Sequence, residues 1–476
     1  MKKIKHFIFL SIIFIGCSSR IEPYTSTSKE AMKLYKLHLT NSKLSEVQED
    51  SINALAYHKL ENEDIENSLE IFRLNTFLYP DSYNVYDSYA EILLRKGDSS
   101  KAIANYKKSL ELNSTNDNAF VKLQEIEEAK QFGSLSIQEY TFESFWNFYE
   151  KNYSHFNIKN VDWKREYSKY RNKISSSTPD STLFGIMENM LRDFNDVHVT
   201  LEAGEEYYYE SKKESKIVSE LIKARTVLYP NNEGSITKRY FNAVDSTLYI
   251  NNFSSIKTAG SLNETLPWIS YSRNKHLGYL RTISFMPEQP MQEQMQILDS
   301  IFKEFTGVDG LIIDLRLNSG GYDLVAMRFM GKLINRKILS HRKQNRRGNY
   351  KEFDSLQDIY IEPIGNYKFT KKIIILINDK TVSAGEMIPL GLSQLDHVKI
   401  VGSPSNGSLS DALYKMLPNG WISSLSNERY FDVINGKDYE GKGIPVQFEI
   451  NNTADDIINF NDSVLKKAIE ILNEWK

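Results

Sequence analysis

The sequence predicts an α/β catalytic core preceded by an all-α domain of helical repeats. The core is read from two stretches, Gly310-Leu311-Ile312-Ile313 and Ile373-Ile374-Ile375-Leu376-Ile377. Continuous apolar, β-branched runs of this kind suit strands covered on both faces of a parallel sheet. Each run leads through a short polar turn into a helical pattern. The helical part is read from residues 29–129, where apolar residues recur at helix spacing and Ser68-Leu69-Glu70-Ile71-Phe72 returns 34 positions later as Ala102-Ile103-Ala104-Asn105-Tyr106.

With 476 residues and 41% hydrophobic content the chain can bury more than one core. The net charge is only −3 and the basic residues are scattered, which argues against a nucleic-acid partner. Tyr and Phe, 28 and 24 in number, speak for packed domains and against disorder. The first residues combine Lys2, Lys3 and Lys5 with an apolar stretch over 7–15, too short to span a bilayer and typical of an export signal. The single cysteine, Cys17, follows Ile15-Gly16, and this stretch resembles a bacterial lipoprotein signal. That resemblance implies lipidation of Cys17, a tether over 18–28 and a lipid anchor in the bacterial cell envelope; ordinary secretion with loss of Cys17 is the alternative.

Within 29–131, Ala56 returns as Ala90 and Leu78 as Leu112. A period of 34 with small residues at helix crossings resembles the tetratricopeptide repeat, and Tyr86, Ala90, Gly97, Ala102 and Tyr106 fall on that family's packing positions. The resemblance implies a protein partner for this domain. Gln131-Phe132-Gly133-Ser134 marks a boundary. Helical patterns resume over 142–173 and 181–191, and residues 138–201 read as a helical segment leading into the catalytic region. Residues 202–235 are polar and tyrosine-rich and read as a loop or lid. Segments 237–252 and 277–285 alternate as strands, Lys399-Ile400-Val401-Gly402 reads as a further strand, and Pro418-Asn419-Gly420 as a hairpin turn. A helix closes the chain from about Asn461 to Trp475.

After the run 373–377 comes Thr381-Val382-Ser383-Ala384-Gly385-Glu386. A serine between a strand and a helix can present its hydroxyl where a helix N-terminus supplies N–H groups to an oxyanion. On this stretch alone, Ser383 as a plain N-cap is an equal reading. After the other run, Asn318-Ser319-Gly320-Gly321 permits close approach of backbone to a ligand. Both turns lie at the C-terminal ends of the strands, where open α/β sheets place their sites. No metal cluster or cofactor fingerprint is present in the sequence.

Asp314-Leu315-Arg316 with Asn318-Ser319-Gly320-Gly321, the Ser383-Ala384-Gly385-Glu386 turn, Val401-Gly402 and Glu440-Gly441-Lys442-Gly443-Ile444-Pro445 together resemble the S41 serine peptidases, the family of the C-terminal processing proteases and the tricorn core. The resemblance covers roughly 138–476, with the catalytic domain over 202–476. It implies a ClpP/crotonase-type ββα core, a peptide or protein substrate, Ser383 as nucleophile, and an oxyanion hole from Gly320 or Gly321 with Ala384. The processing proteases place a lysine 25 positions after the nucleophile, where this chain has Ser408. The tricorn-like branch uses a histidine and a glutamate, matched by His198 as general base and Glu440 as orienting carboxylate. Val197 stands where tricorn has a serine, and no PDZ module is evident between His198 and Gly310. The expected function is an exported serine peptidase; the alternatives are a catalytically inactive peptide-binding lipoprotein on the same scaffold, or an esterase using the same serine.

Overall fold

Six helices form the N-terminal part of the computed structural model, which describes residues 23–231, 234–348 and 352–475; the Cys17 site lies outside the described residues. They are α1 (Lys29–Thr40), α2 (Glu49–Glu61), α3 (Ile65–Leu78), α4 (Tyr83–Arg95), α5 (Ser99–Leu112) and α6 (Asp117–Phe132). Helices α4 and α5 start 34 residues after α2 and α3, and α6 starts 34 after α4. Ala56 and Ala90 are fully buried, as close helix crossings require. Between α2 and α3 the chain turns through Glu63 (φ 61°), and between α4 and α5 through Gly97 (φ 84°), which takes this left-handed conformation at no steric cost.

The chain divides into two units, Met1–Gln131 and Phe132–Lys476. The second begins with α7 (Ile137–Asn152), α8 (Phe156–Lys159), α9 (Trp163–Tyr170) and α10 (Asp180–Leu191). Tyr149, Trp163 and Phe194 pack ring against ring, with centroids 5.2 to 5.6 Å apart. There follow β1 (Thr200–Ala203), β2 (Tyr207–Glu210), α11 (Lys216–Leu228), α12 (Ile236–Ile250), β3 (Lys257–Ser261), β4 (Pro267–Arg273), β5 (Leu277–Arg281), α13 (Met291–Glu304), β6 (Gly310–Asp314) and α14 (Asp323–Gly331). The remainder is β7 (Ile338–Asn345), β8 (Gln357–Ile361), β9 (Lys372–Ile377), α15 (Ala384–Leu392), β10 (Val398–Gly402), β11 (Ala412–Met416), β12 (Ile422–Ser426), β13 (Glu428–Phe431), β14 (Phe448–Glu449), α16 (Ala454–Ile458) and α17 (Ser463–Glu474).

A seven-stranded sheet in the order β14-β10-β9-β6-β5-β4-β3 forms the centre. β5, β6, β9 and β10 run parallel, with Ile313 opposite Ile375 and Ile400 opposite Ile375 on the other side. All five residues of the run 373–377 are fully buried. Ile373, Ile375 and Ile377 pack with Phe329, Met387 and Ile388 on one face, and Ile374 and Leu376 with Leu465, Ala468 and Leu472 of α17 on the other. The two-faced burial that the run predicts is thus present. A second sheet, β11-β12-β1-β2, is antiparallel, and the β11–β12 hairpin turns at the expected Pro418-Asn419-Gly420. The Tyr149 hydroxyl donates to the Ser424 carbonyl at 2.8 Å, which fixes α7 on this sheet.

Two sequence expectations fail. The segment expected as a strand over 237–252 is mostly helix α12, because Tyr240, Ala243, Val244, Thr247 and Leu248 bury one face at three- and four-residue spacing. The loop expected over 202–235 contains β2 and α11, the latter capped by Ser215 and burying Ile217, Leu221 and Ala224.

At the C-terminal edge of β6, Arg316 is buried between two carboxylates, bonding Asp314 at 2.8 and 2.6 Å and Asp462 at 2.8 and 2.7 Å. Asp462 also caps α17 through the Leu465 N–H. This network fixes the last helix beside the turns that carry the site.

Candidate active site

Ser383 stands between β9 and α15 with φ 55° and ψ −126°, a strained backbone conformation for a residue with a Cβ. Its surroundings hold it there. The Ser383 N–H donates to the Ser408 carbonyl at 3.0 Å and to Glu386 at 3.1 Å. The fully buried Glu386 carboxylate also accepts from Ser405 Oγ (2.6 Å), Gly407 N–H (2.7 Å) and Ser408 N–H (2.9 Å), joining the loop 403–408 to the serine turn. Burial raises the Glu386 pKa to about 7 against these hydrogen bonds. Ser408, where the processing proteases carry lysine, is part of this scaffold, and its hydroxyl donates to Asn406 at 2.8 Å.

The glycine turn after β6 lies against the serine. Asn318 joins them, accepting the Val382 N–H at its carbonyl (3.0 Å) and the Gly320 N–H at its side chain (2.9 Å). A Cβ at Gly320 would stand 2.8 Å from Ser383 Cβ and 2.9 Å from the Val382 carbonyl oxygen, and one at Gly321 2.5 Å from the Phe285 backbone. Both positions, at φ 84° and 135°, therefore require glycine. Among the described residues the Gly321 and Ala384 N–H groups donate to no protein acceptor, whereas Gly320 N–H is taken by Asn318. Of the two glycines considered from sequence, Gly321 is the one with a donor available beside Ala384.

His198 leads into β1, and Ser424 on the paired strand β12 donates to its carbonyl at 2.7 Å. Its ring contacts run through Nδ1, 3.3 Å from Ser426 Oγ and 3.7 Å from Asp196 Oδ1. Burial lowers the His198 pKa, with Asp196 opposing, so the imidazole is neutral at neutral pH. Val197, next to it, lines one cavity of about 670 Å³ together with Lys380 and Asn406 from the serine side. Among the described residues no hydrogen bond joins Ser383 Oγ to the imidazole.

Glu440 is buried, and its partners are Lys159 and His155 of the helical segment and the Leu409 N–H rather than His198. Oε1 pairs with Lys159 Nζ at 2.9 Å; Oε2 accepts from Leu409 N–H at 3.3 Å and lies 3.7 Å from His155 Nε2. Burial raises its pKa to about 8, with Lys159 opposing. Burial acts to lower the Lys159 pKa, but Glu440 and Asp196 outweigh it and hold the ammonium charged. Burial acts to raise Asp196, but Lys159, His198 and His155 outweigh it and keep Asp196 ionised. Lys213, whose pKa burial lowers, donates to the carbonyls of Asn406 and Gly441.

The sequence motifs include Glu386 without giving it a role, and they do not single out Asp196, His155, Lys159 or Lys213. Glu386 carried a signal, since Ser383-Ala384-Gly385-Glu386 has the spacing at which a glutamate reaches back to the N-cap backbone. Among the described residues no group of three or more His, Cys, Asp or Glu is arranged to hold a metal ion.

The model of peptidase family S41 matches residues 276–450, and that of the tricorn protease C1 domain matches 138–192. The carboxy-terminal-processing protease of Bartonella bacilliformis is 27% identical over 177 residues, 37% of this chain; the match spans only 39% of that relative's length. A crystal structure of a candidate peptidase from Parabacteroides merdae matches with a TM-score of 0.57 and 24% identity, covering 71% of this chain and 97% of that one. Mature CPAF complexed with lactacystin matches with a TM-score of 0.51 and 13% identity, covering 71% and 99%. These two likenesses concern the fold. The region that carries the serine turn, the glycine turn and Glu440 thus matches the model of peptidase family S41, and the helical segment before it matches that of the tricorn protease C1 domain.

Proposed function

We propose that this chain is a serine peptidase that hydrolyses peptide bonds through an acyl-enzyme on Ser383. The observation that carries this reading is the strained Ser383 turn beside two N–H donors without protein partners, Gly321 and Ala384. In the proposed reaction, His198 Nε2 takes the Oγ proton as Oγ attacks the carbonyl carbon, and the two N–H groups receive the oxyanion. The imidazolium then returns the proton to the departing amine, and a water activated by the same imidazole releases the acid. A shift that closes the gap between Ser383 and His198 on substrate binding belongs to this reading, since catalytic hydrogen bonds often form only in the complex. Glu440 contributes as a buried carboxyl that fixes Lys159 and the Leu409 N–H.

The competing reading is a non-catalytic peptide-binding protein on the same scaffold, and the unmade Ser383–imidazole bond is the observation in its favour. Incubation with a peptide library, read by mass spectrometry, separates the readings. We expect cleavage by the wild type and none by Ser383→Ala. Intact peptides with both proteins would sink the peptidase reading, and turnover of esters alone would make the chain an esterase. By resemblance we also assign a lipid anchor at Cys17 in the bacterial cell envelope, and a protein partner for the tetratricopeptide-like helices, whose 34-residue spacing supports that assignment.

A further inference from the structure

We infer that the carboxylate orienting His198 is Asp196, acting with the Ser426 hydroxyl; the inference rests on His198 being the base. Three observations carry it. Asp196 is fully buried and rigidly held: Oδ2 accepts from Tyr153 OH at 3.1 Å, Oδ1 accepts the His198 N–H at 3.0 Å, and its own N–H donates to Ser211 Oγ at 3.3 Å. Oδ1 and Ser426 Oγ both face Nδ1, at 3.7 and 3.3 Å. An acceptor at Nδ1 selects the Nδ1–H tautomer and leaves Nε2 as the proton acceptor, which is the task of the third member of a catalytic triad. Glu440, which resemblance places in that role, has no hydrogen bond or ion pair with His198 and ends on Lys159.

Lys159 comes from α8, inside the stretch that matches the tricorn C1 segment. Its ammonium pairs with Glu440 Oε1 at 2.9 Å and donates to the carbonyl of Asn195, the residue before Asp196, at 3.0 Å. The helical segment thus holds the loop that carries Asp196 and His198. Asp196 and Ser426 are positioning residues, and Lys159 acts one step further out.

The test is ¹⁵N NMR of His198 in protein labelled at histidine, together with peptide kinetics. The groups that set the His198 charge are Asp196 on its own loop, His155 and Lys159 from the helical segment, and Glu428 from β13. Removing the Asp196 charge in Asp196→Asn destabilises imidazolium. The His198 pKa should fall by roughly one unit, the acid limb of kcat/KM should move down with it, and kcat should drop by about 10²-fold or more with KM little changed. Glu440→Gln should leave the imidazole pKa in place. Ser426→Ala, a small change that removes only the hydroxyl at Nδ1, should lower the Nδ1–H tautomer fraction, and it serves if Asp196→Asn does not fold. A wild-type Nε2–H tautomer, or a larger His198 shift in Glu440→Gln than in Asp196→Asn, would overturn the inference. The NMR readings need no turnover, so a protein inert toward peptides would end the peptidase reading while leaving this assignment to stand or fall by itself.

Discussion

His198→Ala should lower kcat/KM for a peptide about as much as Ser383→Ala, on the order of 10⁴-fold, and the double variant should be little worse than either. A base and the nucleophile it activates act as one unit, so removing the second member after the first loses almost nothing more. The pH dependence has a definite sign. The imidazole accepts a proton only when neutral, so activity falls as pH drops through the His198 pKa. Burial holds that pKa below its ordinary 6.5, which places the midpoint of the acid limb below that value. A lysine base would instead require activity to rise far above neutrality, unless its ammonium were strongly destabilised. Among the lysines near the site, Lys159 pairs with Glu440, while Lys213, whose pKa burial lowers, donates to two carbonyls. Ser408→Ala should cost far less, since that side chain's one bond is to Asn406.

The largest effect on folding is expected at Arg316. Arg316→Ala would leave Asp314 and Asp462 buried with no cation between them, and the loss of one partner from a buried ion pair costs about 3–5 kcal/mol. Tyr279 OH, 2.8 Å from Asp314, and Asn452, 3.0 Å from Asp462, would remain as donors but carry no charge. Denaturant unfolding followed by tryptophan fluorescence should show the midpoint falling at unchanged slope. Replacement of all three charged residues by apolar side chains of similar volume should recover much of the loss, because the unpaired charge is then absent.

Much of the core was legible because its signals are local. The run 373–377 is apolar at every position, which two covered faces demand, and the structure buries all five residues. The hairpin at Pro418-Asn419-Gly420 was legible from its turn residues. Helix α12 was not, because Tyr240, Val244, Thr247 and Tyr249 favour strands individually, and only the spacing of the buried positions shows a helix. Ser383, His198 and Glu440 were picked out by resemblance, which carries residue types and order but not which side chains touch. Lys159 and His155 could not be read from sequence. They lie on or beside a four-residue helix with no period of its own, and they reach Glu440 across more than 280 residues of chain. Asp196 is two residues from His198, yet its significance depends on the loop turning its carboxylate back onto the histidine N–H and toward the ring.

The central claim is that Ser383 is an activated nucleophile, and covalent labelling tests it without knowledge of the substrate. Folded protein treated with a fluorophosphonate should gain one adduct, mapped by peptide mass spectrometry to the segment containing Ser383, and absent in Ser383→Ala. An unlabelled protein, or an adduct on a different serine, would contradict the account.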